Sequence, residues 1–513
     1  MIETLGGLDA LFLHLETPEM PMHVASMHYY RLPPRSRTAP LERVKAHMRE
    51  RLHLSPVFTR KLAATPMRLA NPAWVEDTEF DLDYHVRRVI LPAPGTHEQL
   101  EQCVADLHSR PMDRSRPLWE FYVIEGLQRK GLVGFYSKLH HAAIDGKAGV
   151  VLAQAILDLA PAGRRVEPPP AHGPSTPAGT TALLRTALSS QVKQTRRLVK
   201  LLPGLLKAGT QAAGDVISES IGSLRGKHGY GPPLLGPHTR LNVSIDGRRA
   251  FATAEIPNAD LKKVAHAFDG TLNDVVLALC SSALRRYLDS FNELPEDPLV
   301  AWVPVSLRPA GDTSQNTQAT MFRVPLGTHI ADPLERFEAI KAATAEMKAA
   351  VASFKGAIPT DFPSLGMPWL LPGLASLYGR TRLADRIRPP ANVVISNVPG
   401  PAVPLYLAGA QMLTYYPMSI VTHGMALNIT VESYTDKLFF GLIACARAVP
   451  EVAQLAAWID DAHRELTALA ASANAAAAEA PATKRARKPS AGAGATKPAR
   501  KAPNRIPRKA AKK

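Results

Sequence analysis

The chain has 513 residues, of which 46% are hydrophobic and 21% are charged, and this composition excludes a fibrous or wholly disordered protein. Its three cysteines form no close-spaced pair, which excludes a disulfide framework and fits a reducing compartment. The formal net charge of +16 is unevenly distributed, so the location of the basic residues matters more than their total.

The first part of the chain predicts a domain of mixed strands and helices. We expect no secretory signal and no membrane-spanning helix, because no basic stretch precedes an apolar core and no apolar run reaches about 18 residues. The pattern predicts a short apolar turn at 8–13, an edge strand at 24–30 and a surface helix at 41–54. Three further elements follow: a hairpin formed by 58–62 and 74–77, a helix at 98–108 and a strand at 121–126.

Two adjacent histidines, His140 and His141, follow an apolar strand predicted over residues 132–138. After three intervening residues, Asp145 and Gly146 open the turn into a helix predicted over 147–159. A side chain at the end of a strand is held rigidly and stays accessible. A histidine needs little tuning to act as a base near neutral pH, so this stretch is the candidate catalytic site.

Other interpretations of these residues stay open. The histidine pair fits a purely structural role, and Asp145 fits the cap of the following helix, near the positive end of its dipole. His141 and Asp145 also have a spacing found in metal ligands. No further cluster of His, Cys or Asp nearby completes a coordination shell, so we expect no metal.

The middle of the chain is rich in proline and then strongly basic. Prolines from Pro168 to Pro177 indicate a domain boundary. Residues 180–209 have the pattern of an amphipathic helix broken at Pro203, and all of its charges are positive. Such a helix fits the surface of an anionic membrane, or a crossover packed on the second domain with its basic face in solvent.

A second α/β domain is predicted to begin near Leu235. It contains a strand at 248–254, helices at 258–267 and 272–288, and a strand at 301–308, with Asn273 or Asp274 suited to the first turn of the second helix. Residues 389–431 carry no charge other than any protonated His423, which indicates the core of a sheet. Residues 439–443 are expected to close that sheet, and a terminal helix follows at 450–470. From 472 onward we expect a disordered tail rich in Lys, Arg, Ala and Pro.

The pattern His140-His141-x-x-x-Asp145-Gly146 resembles the signature of the CoA-dependent acyltransferase superfamily. Further motifs narrow the resemblance to the bacterial wax ester synthase/acyl-CoA:diacylglycerol acyltransferase family, from Leu8 to about Ala470. These motifs, in chain order, are Leu8-Asp9, residues 21–24, Pro117-Leu118-Trp119, Asn273-Asp274, residues 304–308 and residues 396–401. The chain departs from the family where Gln315-Asn316 replaces the usual Gly-Asn pair, and its basic tail is outside the family pattern.

The resemblance implies an α/β fold of two chloramphenicol-acetyltransferase-like domains with mixed sheets, an active-site channel between them and a disordered basic C-terminal tail. The boundaries that we assign divide the chain into four parts. They are an N-terminal acyltransferase domain at 1–165, a Pro-rich linker with the basic crossover helix at 166–234, a C-terminal acyltransferase domain at 235–471 and the tail at 472–513.

The implied activity is O-acyl transfer from acyl-CoA to diacylglycerol or a long-chain alcohol, giving triacylglycerol or wax ester. His141 would be the general base, His140 would position it or line the channel, and Asp145 would fix the loop through an arginine such as Arg308. Four residues are expected to shape the site: Gly146, Asn273, Asp274 and Arg308. The alternative to a site-shaping role for Asn273 and Asp274 is that they cap the helix they begin. The chain contains no Gly-x-Ser-x-Gly motif, so direct transfer is favoured over an acyl-enzyme.

The expected partners are acyl-CoA as co-substrate, the acceptor lipid, and a membrane or lipid-droplet surface. No cofactor is expected, and the CoA-binding residues are unassigned. We expect a cytoplasmic protein that associates peripherally with the inner face of the membrane or with lipid inclusions. The alternatives are a condensation-type acyltransferase acting with a carrier protein and a non-catalytic lipid-surface protein. Nucleic acid is a candidate partner for the tail alone, because clustered Lys and Arg bind any polyanion.

Overall fold

The computed structural model describes residues 3–5, 7–34, 37–64, 71–144, 148–169, 235–306, 319–354, 379 and 381–479. Within them the chain forms a mixed α/β fold built on two large sheets and one small sheet. The predicted features at Asp145, Gly146 and Arg308, in the basic segment 180–209 and in the tail after residue 479 lie outside the described residues.

Both halves of the chain contain strands and helices. The strands are β1 (Glu3–Thr4), β2 (His23–Arg31), β3 (Arg60–Ala63), β4 (Ala73–Glu76), β5 (Val86–Ile90), β6 (Trp119–Glu125), β7 (Leu132–His140), β8 (Arg249–Pro257), β9 (Val300–Ser306), β10 (Ala319–Pro325), β11 (Val393–Val398), β12 (Tyr406–Leu407), β13 (Ala410–Met412), β14 (Tyr416–Met418), β15 (Leu427–Tyr434) and β16 (Lys437–Cys445). The helices are α1 (Gly7–Leu15), α2 (Pro40–Arg49), α3 (Leu82–His85), α4 (His97–His108), α5 (Ala148–Ile156), α6 (Asn258–Ala267), α7 (Leu272–Asp289), α8 (Pro333–Phe354) and α9 (Val452–Glu479).

The seven-stranded first sheet has the order β12-β13-β2-β7-β6-β5, with β14 also paired to β2. The strand predicted at 24–30 is confirmed as β2, but its predicted edge position is wrong, because β2 lies between β7 on one side and β13 and β14 on the other. Those two partners come from the second half of the chain, so no local pattern could indicate them. The predicted hairpin is confirmed as β3 and β4, which pair antiparallel in the small sheet with β1.

The six-stranded second sheet has the order β10-β9-β11-β15-β16-β8. β11 runs parallel to β9 and β15, while the other pairs are antiparallel. The expectation that residues 439–443 close this sheet is wrong, because β16 lies inside it and β8 forms the edge. The apolar character of β16 reflects burial on both of its faces and does not report its position in the strand order.

Two predictions about helices are corrected at the ends of the fold. The apolar residues 8–13 lie in the helix α1, which is too short for its periodicity to be obvious in the sequence. The terminal helix α9 continues to Glu479, so residues 472–479 are helical and do not belong to a disordered tail. Alanine has the highest helix propensity, and the alanine-rich run extends the helix for that reason. None of the helices in the described ranges is long and apolar enough to cross a bilayer.

The two large sheets share a core. One apolar cluster lies between the second sheet and helices α6 to α9. A second cluster combines first-sheet residues with Phe251, Phe439 and Ile443, which lie on the other face of the second sheet. The segment 406–418, which follows the second sheet's β11, returns to complete the first sheet. The two halves are therefore interlocked rather than merely adjacent.

Candidate active site

The histidine pair lies where β7 ends. His140 is the last residue of the strand, pairs with His23 of β2 and is fully buried. Its Nδ1 accepts a hydrogen bond from the backbone N–H of Ala142 at 3.1 Å, so its proton is on Nε2. That Nε2 lies 3.3 Å from Oε1 of Glu16. One ring nitrogen is hydrogen-bonded and the other lies beside a carboxylate inside the protein, which favours a positioning role for His140.

His141 begins the 3₁₀ turn that follows, and its backbone is fixed at both ends. Its N–H donates to the carbonyl of Met22 at 2.9 Å, and its carbonyl accepts from Ile144 N–H at 3.2 Å. The ring stacks on Phe12 of α1 with centroids 3.8 Å apart and planes inclined by 16°. The imidazole is thereby held in one orientation by α1, β2 and its own turn.

The His141 ring has few polar neighbours. Its Nδ1 is enclosed and makes no hydrogen bond within the described part of the chain. Burial lowers the pKa of His141 to about 4, an effect that its own backbone carbonyl opposes and that His140 slightly reinforces. The imidazole is therefore neutral at physiological pH, which is the form that can accept a proton.

Glu16 is a site residue that the sequence analysis missed. Its Oε1 accepts the N–H of Met22 at 3.0 Å, and its Oε2 accepts Nε of Arg114 at 2.7 Å. Burial alone would raise the pKa of Glu16, but His140, Arg114 and the Met22 N–H favour the ionised form and lower the pKa to about 2. Phe12 and Glu16 are four residues apart at the end of α1, and that helical spacing is the signal that could have indicated a shared face.

The Pro117-Leu118-Trp119 motif supports the same strand end. The Leu118 carbonyl accepts the backbone N–H of His140 at 3.0 Å, and the Trp119 indole donates to the Phe58 carbonyl at 3.1 Å. Leu118 and Trp119 are fully buried. The motif therefore fixes the backbone of the histidine pair and need not contact substrate.

Asn273 and Asp274 have separate roles. Thr271 caps α7, and Asp274 completes a capping box by accepting the Thr271 N–H at 2.7 Å. Its other oxygen accepts the hydroxyl of Thr344 at 2.6 Å, so the helix-cap alternative is confirmed for Asp274. The side-chain oxygen of Asn273 lies 3.5 Å from Nδ2 of Asn397, in the 396–401 motif. No contact joins either residue to His141 among the described residues.

Three other predicted site residues, Asp145, Gly146 and Arg308, lie outside the described residues, and their roles stay predictions. In the described ranges no group of three or more His, Cys, Asp or Glu side chains could hold a metal ion.

Comparison with protein families gives two matches that together span most of the chain. The wax ester synthase/diacylglycerol acyltransferase catalytic domain matches residues 5–276, and the C-terminal domain of the same family matches residues 316–467. A Mycobacterium tuberculosis protein assigned to the diacylglycerol O-acyltransferases is 36% identical over 465 residues, covering 90% of this chain and 99% of the relative. A second is 34% identical over 464 residues, covering 89% and 97%.

Solved structures show the same likeness. The wax ester synthase/diacylglycerol acyltransferase from Marinobacter aquaeolei VT8 has a TM-score of 0.65 at 30% identity, covering 91% of this chain and 100% of that one. The first condensation domain of the calcium-dependent antibiotic synthetase has a TM-score of 0.51 at 14% identity, covering 92% and 97%. The second likeness shows a common fold and carries no information on activity.

Proposed function

Because this chain belongs to the wax ester synthase/diacylglycerol acyltransferase family, we propose that it transfers a fatty acyl group from acyl-CoA to an alcohol oxygen. The acceptor is diacylglycerol or a long-chain alcohol, and the product is triacylglycerol or wax ester. The observation that carries the proposal for this chain is the neutral, rigidly stacked imidazole of His141 at the end of β7.

In the proposed reaction His141 is the general base. Since Nδ1 is enclosed, Nε2 is the nitrogen that takes the hydroxyl proton as the acceptor oxygen attacks the thioester carbon. The carbon–sulfur bond then breaks, and His141 returns the proton to the departing thiolate. The ester and the free thiol of CoA account for all atoms, and no acyl-enzyme is required.

In this proposal His140 and Glu16 position His141 and do not contact the substrate. The Glu16 carboxylate holds the proton-bearing Nε2 of His140, and the Nδ1 of His140 holds the turn that begins with His141. Asp145 and Arg308 are proposed to order the loop that follows, as the family resemblance implies.

We also propose peripheral association with a lipid surface, where both the acceptor and the product accumulate. The support comes from segment 180–209, in which every charged residue is Lys or Arg, and from the basic tail, because cationic segments are attracted to anionic lipids.

The test is an assay of the purified protein with palmitoyl-CoA, offering hexadecanol and diacylglycerol side by side and measuring both thiol release and ester formation. His141→Ala should reduce transfer about a hundredfold to ten-thousandfold while circular dichroism stays unchanged. His329→Ala, at an exposed histidine away from the site, is the matched control and should retain full activity. Near-normal ester formation by His141→Ala would remove His141 from its assigned role.

A further inference from the structure

The second sheet is only partly covered near the carboxyl ends of two adjacent parallel strands, β11 and β15. Val398 is 38% exposed, and its register partner Glu432 and the nearby Ser396 are partly exposed. Thr430, one step back on the same face, is buried. In α/β folds ligands bind in the crevice beyond the carboxyl ends of parallel strands.

This face of the sheet points toward the first domain. Phe439 lies directly across from Glu432 in the ladder, so both side chains project from the same face. The Phe439 ring packs edge-to-face on Tyr416 of β14, in the first sheet, with centroids 5.2 Å apart. Glu432 therefore lies between the two sheets, where the family resemblance places the active-site channel.

Glu432 has no polar partner among the described residues. Glu255 projects from the same face of the same sheet, yet its carboxylate accepts Nζ of Lys437 at 2.8 Å and the Tyr416 hydroxyl at 3.3 Å. Within the described ranges no such cation or donor accompanies Glu432. Burial raises the pKa of Glu432 to about 8, so at neutral pH it is a protonated acid that can donate one hydrogen bond.

The 396–401 motif holds this acid in place. A Cβ on Gly400 would lie 2.8 Å from Oε1 of Glu432 and would collide with the Ser433 carbonyl oxygen. The Gly400 N–H donates to the Ser433 hydroxyl at 2.9 Å. The absence of a side chain at Gly400 thus allows the loop to pack directly on Glu432, which restricts the directions the acid can take.

We propose that Glu432 donates a hydrogen bond to a neutral carbonyl oxygen of the substrate in the crevice between the two sheets. Two substrates offer such carbonyl groups: diacylglycerol in its esters, and acyl-CoA in its thioester and in the amides of its pantetheine arm. This role makes Glu432 a specificity-determining residue, and it rests on the acyl transfer proposed above. A long-chain alcohol has no carbonyl group, so a comparison of the two acceptors distinguishes a carbonyl on diacylglycerol from one on acyl-CoA.

The experiment measures KM for diolein, hexadecanol and palmitoyl-CoA in the full-length protein and in Glu432→Leu. Loss of a buried hydrogen bond should raise one KM about fivefold to a hundredfold. A higher KM for diolein alone identifies the glycerol ester as the bound group. A higher KM for palmitoyl-CoA with both acceptors identifies acyl-CoA as the substrate that supplies the carbonyl. Unchanged KM values for all three substrates would overturn the proposal.

Two further variants separate binding from structure. Glu432→Gln keeps a hydrogen-bond donor and should retain nearly the parent KM. Glu255→Leu is the control variant, because it removes an acid on the same face that has its own partners.

The pH dependence gives a further test. Above pH 8 the parent should lose affinity for the substrate as Glu432 ionises, and Glu432→Gln should not. Among the described residues, Tyr415 and Glu255 are titratable groups on the side of Glu432, and Tyr415 stays protonated in this range because burial raises its pKa further. If the parent forms no ester with any acceptor, the proposed function itself fails. If the parent is active and Glu432→Leu has unchanged KM values, only this inference is refuted.

Discussion

At the residue scale, the Glu16 carboxylate connects more parts of the site than any side chain found by motif. It joins the end of α1 to Met22, Arg114 and His140 while its side chain is only 7% exposed. A buried carboxylate is tolerated only when donors surround it, and these three partners supply them. The orientation of His140, and through it the turn that holds His141, depends on that one ionised group.

Glu16→Gln should therefore change how stability depends on pH. Because the pKa of Glu16 is lowered from 4.5 to about 2, its contribution is fully present above pH 4.5 and is lost as pH falls toward 2. That contribution is on the order of 3 kcal/mol by linkage. Urea unfolding at pH 7 and at pH 4 should show a smaller difference in the free energy of unfolding for Glu16→Gln than for the parent. Glu76→Gln, which alters a surface ion pair with Arg60, is the control. The same difference between the two pH values in both variants would contradict the prediction.

At the element scale, α7 shows how one helix start both anchors the fold and approaches the 396–401 motif. Asp274 is buried and closes the cap onto Thr271, while its second oxygen ties α7 to Thr344 of α8. The neighbouring Asn273 extends instead to Asn397 of β11. Two adjacent residues of similar chemistry are thus divided between the helix cap and a contact with the 396–401 motif.

Asp274→Ala should lower the free energy of unfolding by about 1–3 kcal/mol, because it removes the cap and leaves the Thr344 hydroxyl without its acceptor. KM for acyl-CoA in the folded fraction should stay close to the parent value. Asn273→Ala, one residue earlier on the same turn, should leave stability nearly unchanged. The measurement is thermal unfolding of both variants, and equal stability of Asp274→Ala and the parent would be inconsistent with the capping role.

At the scale of the whole molecule, two features of the chain act at different distances from the site. Strands β12 to β14 return from the second half of the chain to the first sheet, so the two halves cannot separate without breaking β-ladder hydrogen bonds. The basic tail, by contrast, has no acid and no apolar periodicity from residue 483 onward. Its expected contribution is electrostatic attraction to a surface.

Removing the residues after Ala482 should leave turnover on dispersed substrates nearly unchanged and weaken binding to anionic vesicles. Each basic residue near such a surface contributes on the order of 1 kcal/mol, and salt screens the attraction over about 10 Å. Vesicle sedimentation of the full-length and shortened proteins at low and high salt measures the difference, with neutral vesicles as the control. Identical curves would leave nucleic acid or another acidic partner as the better candidate for the tail.

The sequence by itself determined the features that depend on short segments. The strand that ends at His140, the hairpin of β3 and β4 and the start of α7 all follow from alternation, periodicity and capping residues within a few positions of one another. The histidine motif could be identified in the same way, because its residues are contiguous. The family could be predicted because several short motifs occur in one order along the chain.

Only the tertiary structure decided which distant residues meet. Glu16 reaches His140 because α1 packs on the turn after β7, and β2 is an interior strand because residues 410–418 pair with it. Glu432 directly follows the uncharged run 389–431 in the sequence, and the packing of two sheets and the Gly400 loop leaves it without a polar partner among the described residues. Such contacts depend on strand order and on the packing of one sheet against the other, which are set by the burial of the whole chain and leave no mark on local periodicity.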